Sequence, residues 1–149
     1  MAVLLDNLSL DISIENMNFE ELFQHSYERN VKQKHDLFFQ RFYEIFLASS
    51  EQVREVFKNT DMLRQREMLK DSLDHIINFG STRESSSFLE ALAVVHKGNK
   101  VKTSMYDLWI EAIIKTLEEI DPLYQPKEGL AWKIILSPGI EFMKGFPQL

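Results

Sequence analysis

The chain is predicted to be all-helical. Apolar residues recur at steps of three and four in six or seven separate stretches, polar caps and glycine or proline stops bound those stretches, and no sustained apolar/polar alternation marks a strand. At 149 residues with 44% hydrophobic content, one domain with one substantial core is expected. Residues 1 to 16 lack sustained periodicity and are read as an arm that adds at most a short helix; residues 17 to 149 form the domain.

From Asn18 to about Lys32, Phe19, Leu22, Phe23 and Tyr27 share one face, and Asn18 with Glu21 has capping-box spacing. Asp36 is the expected cap of a second helix over LFFQRFYEIFLAS. Its apolar face, with Phe38, Phe39, Phe42, Tyr43, Ile45, Phe46 and Leu47, is wide enough to require burial on more than one side. A polar stretch, SSEQVREV, then leads to Phe57, a lone large aromatic that is either an anchor for a loop or a wall of something. Thr60 or Asp61 starts a third helix whose stripe is Met62, Gln65, Leu69, Leu73 and Ile76. Gln65 is the polar member of that stripe, and taken alone it reads equally as a rim residue reaching solvent.

GSTRESSS is read as a loop, and FLEALAVVHKGN, residues 88 to 99, as the next helix. Its stripe runs through Phe88, Leu89, Leu92 and Val95 to His96, just before the Gly98 stop. A further helix is expected from Ser104, paired with Asp107 as a capping box, with Tyr106, Trp109, Ile113, Leu117 and Ile120 inward. The last is expected from about Leu130, with Trp132, Ile135, Leu136, Ile140 and Met143 inward and a kink or break at Pro138 and Gly139.

Several function classes fall away on composition. The net charge is −6 and the 17 Lys and Arg are scattered, so no basic footprint for nucleic acid is present. Absence of cysteine excludes disulfides, thiolate metal sites and a thiol nucleophile. The amino-terminal stretch lacks a basic leader, and no apolar run approaches the ~20 residues that span a bilayer, so a cytoplasmic protein without a membrane span is expected. No HExxH pattern, glycine-rich phosphate loop, Ser-His-Asp set or carboxylate pair stands out. No catalytic residue is assigned with certainty.

His96 is the residue that asks for an explanation. An imidazole at the end of an apolar stripe needs partners for its ring nitrogens, since an unsatisfied buried polar group costs about 1 to 3 kcal/mol. Either it is a core histidine bonded to backbone or it holds a ligand. His25, His35 and His75 lie at surface or rim positions.

An ordered set of segments bears on that choice. FYEIFL at 42 to 47, EQVREVF ending at Phe57, Gln65 with Leu69, ALAVVH ending at His96, Tyr106 ten residues later and the Ala131-Trp132 pair follow one another in the order and spacing of a known family. Over roughly residues 18 to 145 the chain resembles the globins, particularly the single-domain bacterial globins and the haem domain of flavohaemoglobins.

The resemblance implies a globin fold of six to eight helices around a haem pocket. His96 would be the proximal ligand, its Nε2 on the iron of haem b and its other nitrogen donating to a backbone carbonyl one turn back. Phe57, Leu69, Leu92, Val101 and Tyr106 would line the cofactor. Tyr43 and Gln65 would face a gas ligand, with Leu69 one turn beyond; a one-turn register change would bring Leu69 or Met68 there instead.

Reversible binding of O2, and of NO or CO, follows from the resemblance. It suits O2 scavenging or storage, or NO dioxygenation with an external reductase. The alternative is a gas sensor or interaction module signalling to a separate partner chain. In flavohaemoglobins a tyrosine and a glutamate make the proximal histidine electron-rich. Tyr106 has the matching spacing, but the glutamate's place falls near Pro147, with Glu141 about two turns earlier.

Overall fold

The computed structural model describes residues 16–99 and 101–146, so all of the expected arm except Asn16 lies outside the described residues. Seven α-helices and one π-helical stretch make up the described chain, and no strand occurs among the described residues. None of these helices is long and apolar enough to cross a membrane.

Helix α1, Phe19–Tyr27, starts where Asn18 Oδ1 accepts the Glu21 amide at 2.9 Å. It buries Leu22 and Phe23, whereas Phe19 is exposed. The chain continues as a π-helical stretch, Glu28–Lys32, which buries Asn30 and Val31. Helix α2, His35–Ala48, has no side-chain cap. Asp36 lies inside its first turn, where its charge still favours the positive end of the helix dipole. The aromatic face is as wide as expected: Phe38, Phe39, Phe42, Tyr43 and Phe46 are all buried.

Helix α3, Glu51–Phe57, occupies the stretch read as merely polar. Ser50 Oγ accepts the Val53 amide at 3.0 Å, and only Val53 is buried, so two turns of helix carry almost no apolar period to detect. Helix α4, Met62–Thr82, is capped by Asp61 and buries Leu69, Ser72, Leu73 and Ile76. It runs past Gly80 and ends at Arg83, which takes a left-handed conformation (φ 61°). Gly80 is therefore a packing residue and not part of a loop. A Cβ there would stand 2.0 Å from the Ile135 carbonyl oxygen of the last helix.

Helix α5, Ser87–Gly98, is capped by Ser86, whose Oγ accepts the Leu89 amide at 3.1 Å. Its inward face is Leu89 and Ala93 with half-buried Leu92 and His96; Phe88 and Val95 are exposed, a rotation from the expected stripe. Helix α6, Thr103–Ile120, begins one residue before Ser104, so the expected Ser104 and Asp107 box does not form. Tyr106, Ile113 and Leu117 are buried on it, with Trp109 and Ile120 half-buried.

Helix α7, Pro126–Gly145, starts four residues before Leu130. Gln125 and Glu128 form a reciprocal capping box and Pro126 sits in the first turn, where its missing N–H costs nothing. The helix continues through Pro138 and Gly139, and all five residues expected inward are buried.

Helix α7 is the hub of the packing. It lies against α1, α4, α5 and α6, while α2 packs on α6 and α3 on α2. Trp132, wholly buried, meets Phe23 edge-on at 4.7 Å and donates its indole N–H to Ser26 Oγ at 2.9 Å. Burying each such large side chain contributes about 1.5 to 3 kcal/mol. Beside it, Arg29 binds Asp121 at 2.8 Å and Glu128 at 2.6 Å, fastening the π-helical stretch to the α6–α7 corner.

Candidate functional site

A cavity of about 230 Å³ opens among α2 to α7. Tyr43, Phe57, Gln65, Leu69, Leu92, His96, Val101 and Tyr106, the residues singled out from sequence, all line it. They come from five helices and from the turn after α5, and are brought together by the packing around α7.

His96 lies in the last turn of α5 and is half-buried. The Val101 amide donates to the His96 carbonyl at 3.0 Å, fixing the turn that follows. Its Nδ1 stands 3.2 Å from the Tyr106 hydroxyl on α6, and the two rings are 5.9 Å apart. That hydroxyl replaces the backbone carbonyl expected as partner. Burial holds the His96 pKa below the usual histidine value and raises that of Tyr106, so both groups are neutral near pH 7. In the tautomer with Nδ1–H donating to the phenol oxygen, Nε2 keeps its lone pair for a metal. No protein hydrogen bond engages Nε2 among the described residues.

Tyr43 is buried on α2, its ring edge-on to Phe57 at 6.0 Å. Phe57, from the end of α3, also meets Phe46 at 6.0 Å, so its half-buried ring is a wall of the cavity and not a loop anchor. The Tyr43 hydroxyl donates to the Gln65 backbone carbonyl over 3.4 Å, a long contact. Burial, partly offset by the Gln65 side chain and by the Arg66 charge, pushes its pKa up to about 12. Gln65, Met68 and Leu69 all line the cavity from α4, so the register alternatives coexist on one face. Ser72 and Ile76 extend that face inward.

Other lining residues carried weaker signals. Val95, adjacent to His96, and Ile140 and Met143 on α7 read only as core, and Met105, adjacent to Tyr106, carries no signal of its own in the sequence. Val56, missed with α3, is also among them. Three of the lining residues, Val56, Met68 and Val95, are exposed large apolar side chains. Such a wet apolar wall is what a flat, largely apolar ligand would cover.

The remaining predicted positions fall outside. His25 and His35 are exposed. His75 is half-buried and engaged with α5 rather than lying free at the surface. Glu141 is exposed and pairs with Lys144 at 3.2 Å. Pro147 lies outside the described residues.

The donor set fits haem. His96 offers one nitrogen to a metal, too few ligands to hold a bare ion, but sufficient for an iron whose other positions a porphyrin fills. The phenyl, aliphatic and thioether walls suit the macrocycle.

No protein-family profile matches the sequence, and no curated protein matches it. Among solved structures, a protein from Pseudomonas aeruginosa PAO1, described as structurally highly homologous to a human haemoglobin, superposes with a TM-score of 0.75. It shares 29% sequence identity, over 86% of this chain and 97% of that one. With seven helices, no strand among the described residues and this neighbour, the chain has a globin-like fold.

Proposed function

We propose that the chain holds haem b through His96 and binds O2 reversibly, with NO and CO as further ligands, in the cavity shared by Tyr43 and Gln65. The observation that carries this reading is the His96 ring, Nδ1 engaged by Tyr106 and Nε2 left without a protein partner, at a cavity in a globin-like fold. When bound, haem supplies an iron with one position open to a diatomic gas.

The chain's own residues set how long the gas stays. The Tyr43 phenol and the Gln65 amide are the hydrogen-bond donors on the α2 and α4 walls. Each bond contributes ~0.5 to 1.5 kcal/mol, or up to ~3 toward a charged acceptor, so the pair slows release by roughly ten-fold to several hundred-fold. Turning the Tyr43 hydroxyl from the Gln65 carbonyl costs little, because a 3.4 Å bond is weak. Phe57, Leu69, Leu92 and Val101 exclude water and seat the macrocycle. Slow release suits O2 scavenging or storage; conversion of NO to nitrate would in addition call for an external reductase.

The test is an absorption spectrum of the purified protein after haem addition, reduced, with and without O2 and CO, beside that of His96→Ala. A Soret band that moves with each gas and is weakened or lost in the variant is the expected result. A protein that retains no haem overturns the reading.

A further inference from the structure

His75 projects from α4 toward the start of the helix that carries His96. Its ring lies flat on Phe88, with centroids 4.3 Å apart and planes at 6°, and its Nδ1 stands 3.0 Å from Ser86 Oγ. Ser86 is the cap of α5, already accepting the Leu89 amide. A serine hydroxyl gives one proton and accepts two bonds, so while accepting the Leu89 amide it still pairs with His75 Nδ1, as donor or as second acceptor according to the ring's tautomer. One imidazole thus grips both the first hydrogen bond of α5 and its first aromatic residue.

We infer that His75 is a positioning residue for His96, fixing α5 at its start as Tyr106 fixes it at its end. The inference rests on the haem reading for its functional meaning. Helix α5 has little else to hold it: only Leu89 and Ala93 are fully buried, while Phe88, Val94 and Val95 are exposed. The platform beneath His75 is the opposite case. The next residue, Ile76, is packed so closely on α7 that a Cβ at Gly139 would lie 2.9 Å from its Cγ2, and Gly80 meets the Ile135 carbonyl one turn on.

The lever is long. Ser86 and His96 are ten residues apart, about 15 Å along a helix at 1.5 Å per residue. A small tilt of α5 about the Leu89 and Ala93 contact therefore displaces the His96 ring relative to Tyr106. Because α4 also carries Gln65, the same contact holds the gas-facing helix and the metal-ligating helix in one fixed relation.

The experiment compares wild type, His75→Phe, which keeps a flat ring without the nitrogen, His75→Ala and Ser86→Thr, which keeps the capping hydroxyl. Amide hydrogen exchange on the full chain without haem reads the helix itself. Loss of the hydrogen bond and the ring contact in His75→Ala should speed exchange of the Leu92 to Gly98 amides by about ten-fold, with α1 and α7 unchanged. His75→Phe should fall between, and Ser86→Thr should match wild type.

Resonance Raman of the haem-loaded ferrous proteins reads the consequence. The iron–histidine stretching band should shift in His75→Ala and lie nearer wild type in His75→Phe. Exchange unchanged in α5, or raised equally in every helix, overturns the inference, as does a band that stays in place while α5 loosens. If wild type takes up no haem, the proposed function fails on that ground alone and the α5 exchange pattern decides the clamp by itself.

Discussion

His96 Nδ1 and the Tyr106 hydroxyl, ten residues apart in sequence, meet at 3.2 Å because α5 and α6 are joined by a short turn closed on the His96 carbonyl. The phenol thereby fixes both the rotation of the imidazole and which nitrogen faces the cavity. Tyr106→Phe leaves Nδ1 without a partner in a half-buried place. A loss of about 1 to 2 kcal/mol in urea unfolding without haem is expected. Faster transfer of haem from the variant to an acceptor protein is the second expected effect. An unchanged unfolding midpoint would show that the contact contributes nothing.

Tyr43→Phe should speed O2 release more than Gln65→Leu. The phenol is held by buried packing against Phe42 and Phe57, whereas Gln65 is half-buried on a longer side chain with more rotatable bonds. Each loss is worth from about two-fold to roughly a hundred-fold in rate. Stopped-flow release rates in the opposite order would sink the ranking.

Gly80→Ala is expected to destabilise strongly, by about 3 kcal/mol or more, because the new methyl meets backbone oxygen that can move only with α7. Gly139→Ala meets the Ile76 side chain at 2.9 Å and should cost about 1 to 3 kcal/mol. Gly98→Ala meets nothing within 4 Å and should be neutral or slightly stabilising. Thermal melts of the three variants check this order.

Acid should weaken the fastening between the π-helical stretch after α1 and the α6–α7 corner. Burial alone would raise the Asp121 pKa, but hydrogen bonds from Arg29, Asn30 and the Leu123 amide outweigh it, so the carboxyl titrates below its ordinary value. A lowered folded-state pKa gives stability that is fully present above the unfolded value of about 3.9 and is lost as pH falls through the folded one. Urea midpoints of wild type should therefore drop below about pH 4, and those of Asp121→Asn should start lower and fall less over the same interval.

Sequence reading succeeded where periodicity was long and the chemistry unusual. The α2 aromatics, the Trp132 to Met143 face of α7 and the α4 stripe each repeat over several turns, and the eight residues tied to the globin resemblance converge on one cavity. It failed where local signals were short or ambiguous. Helix α3 buries one residue, the first turn of α7 reads as PKEG, and Gly80 looks like a stop although it is a helix crossing. Nor could spacing reveal that His75 faces Ser86 and Phe88, since the ring's direction depends on how α4 and α5 are docked.

The Arg29 pair with Glu128 has a consequence for the order in which the molecule is made. The two residues are 99 positions apart, and Phe23 and Tyr27 wait longer still for Trp132. During synthesis at about 5 to 20 residues per second, α1 leaves the ribosome seconds before its docking surface exists. Its aromatic face stays uncovered for that interval, and the last helix must both cap itself through Glu128 and capture Arg29 with the same carboxylate. Folding of the domain then waits for α7, and a nascent chain stalled before residue 128 leaves that aromatic face open to aggregation.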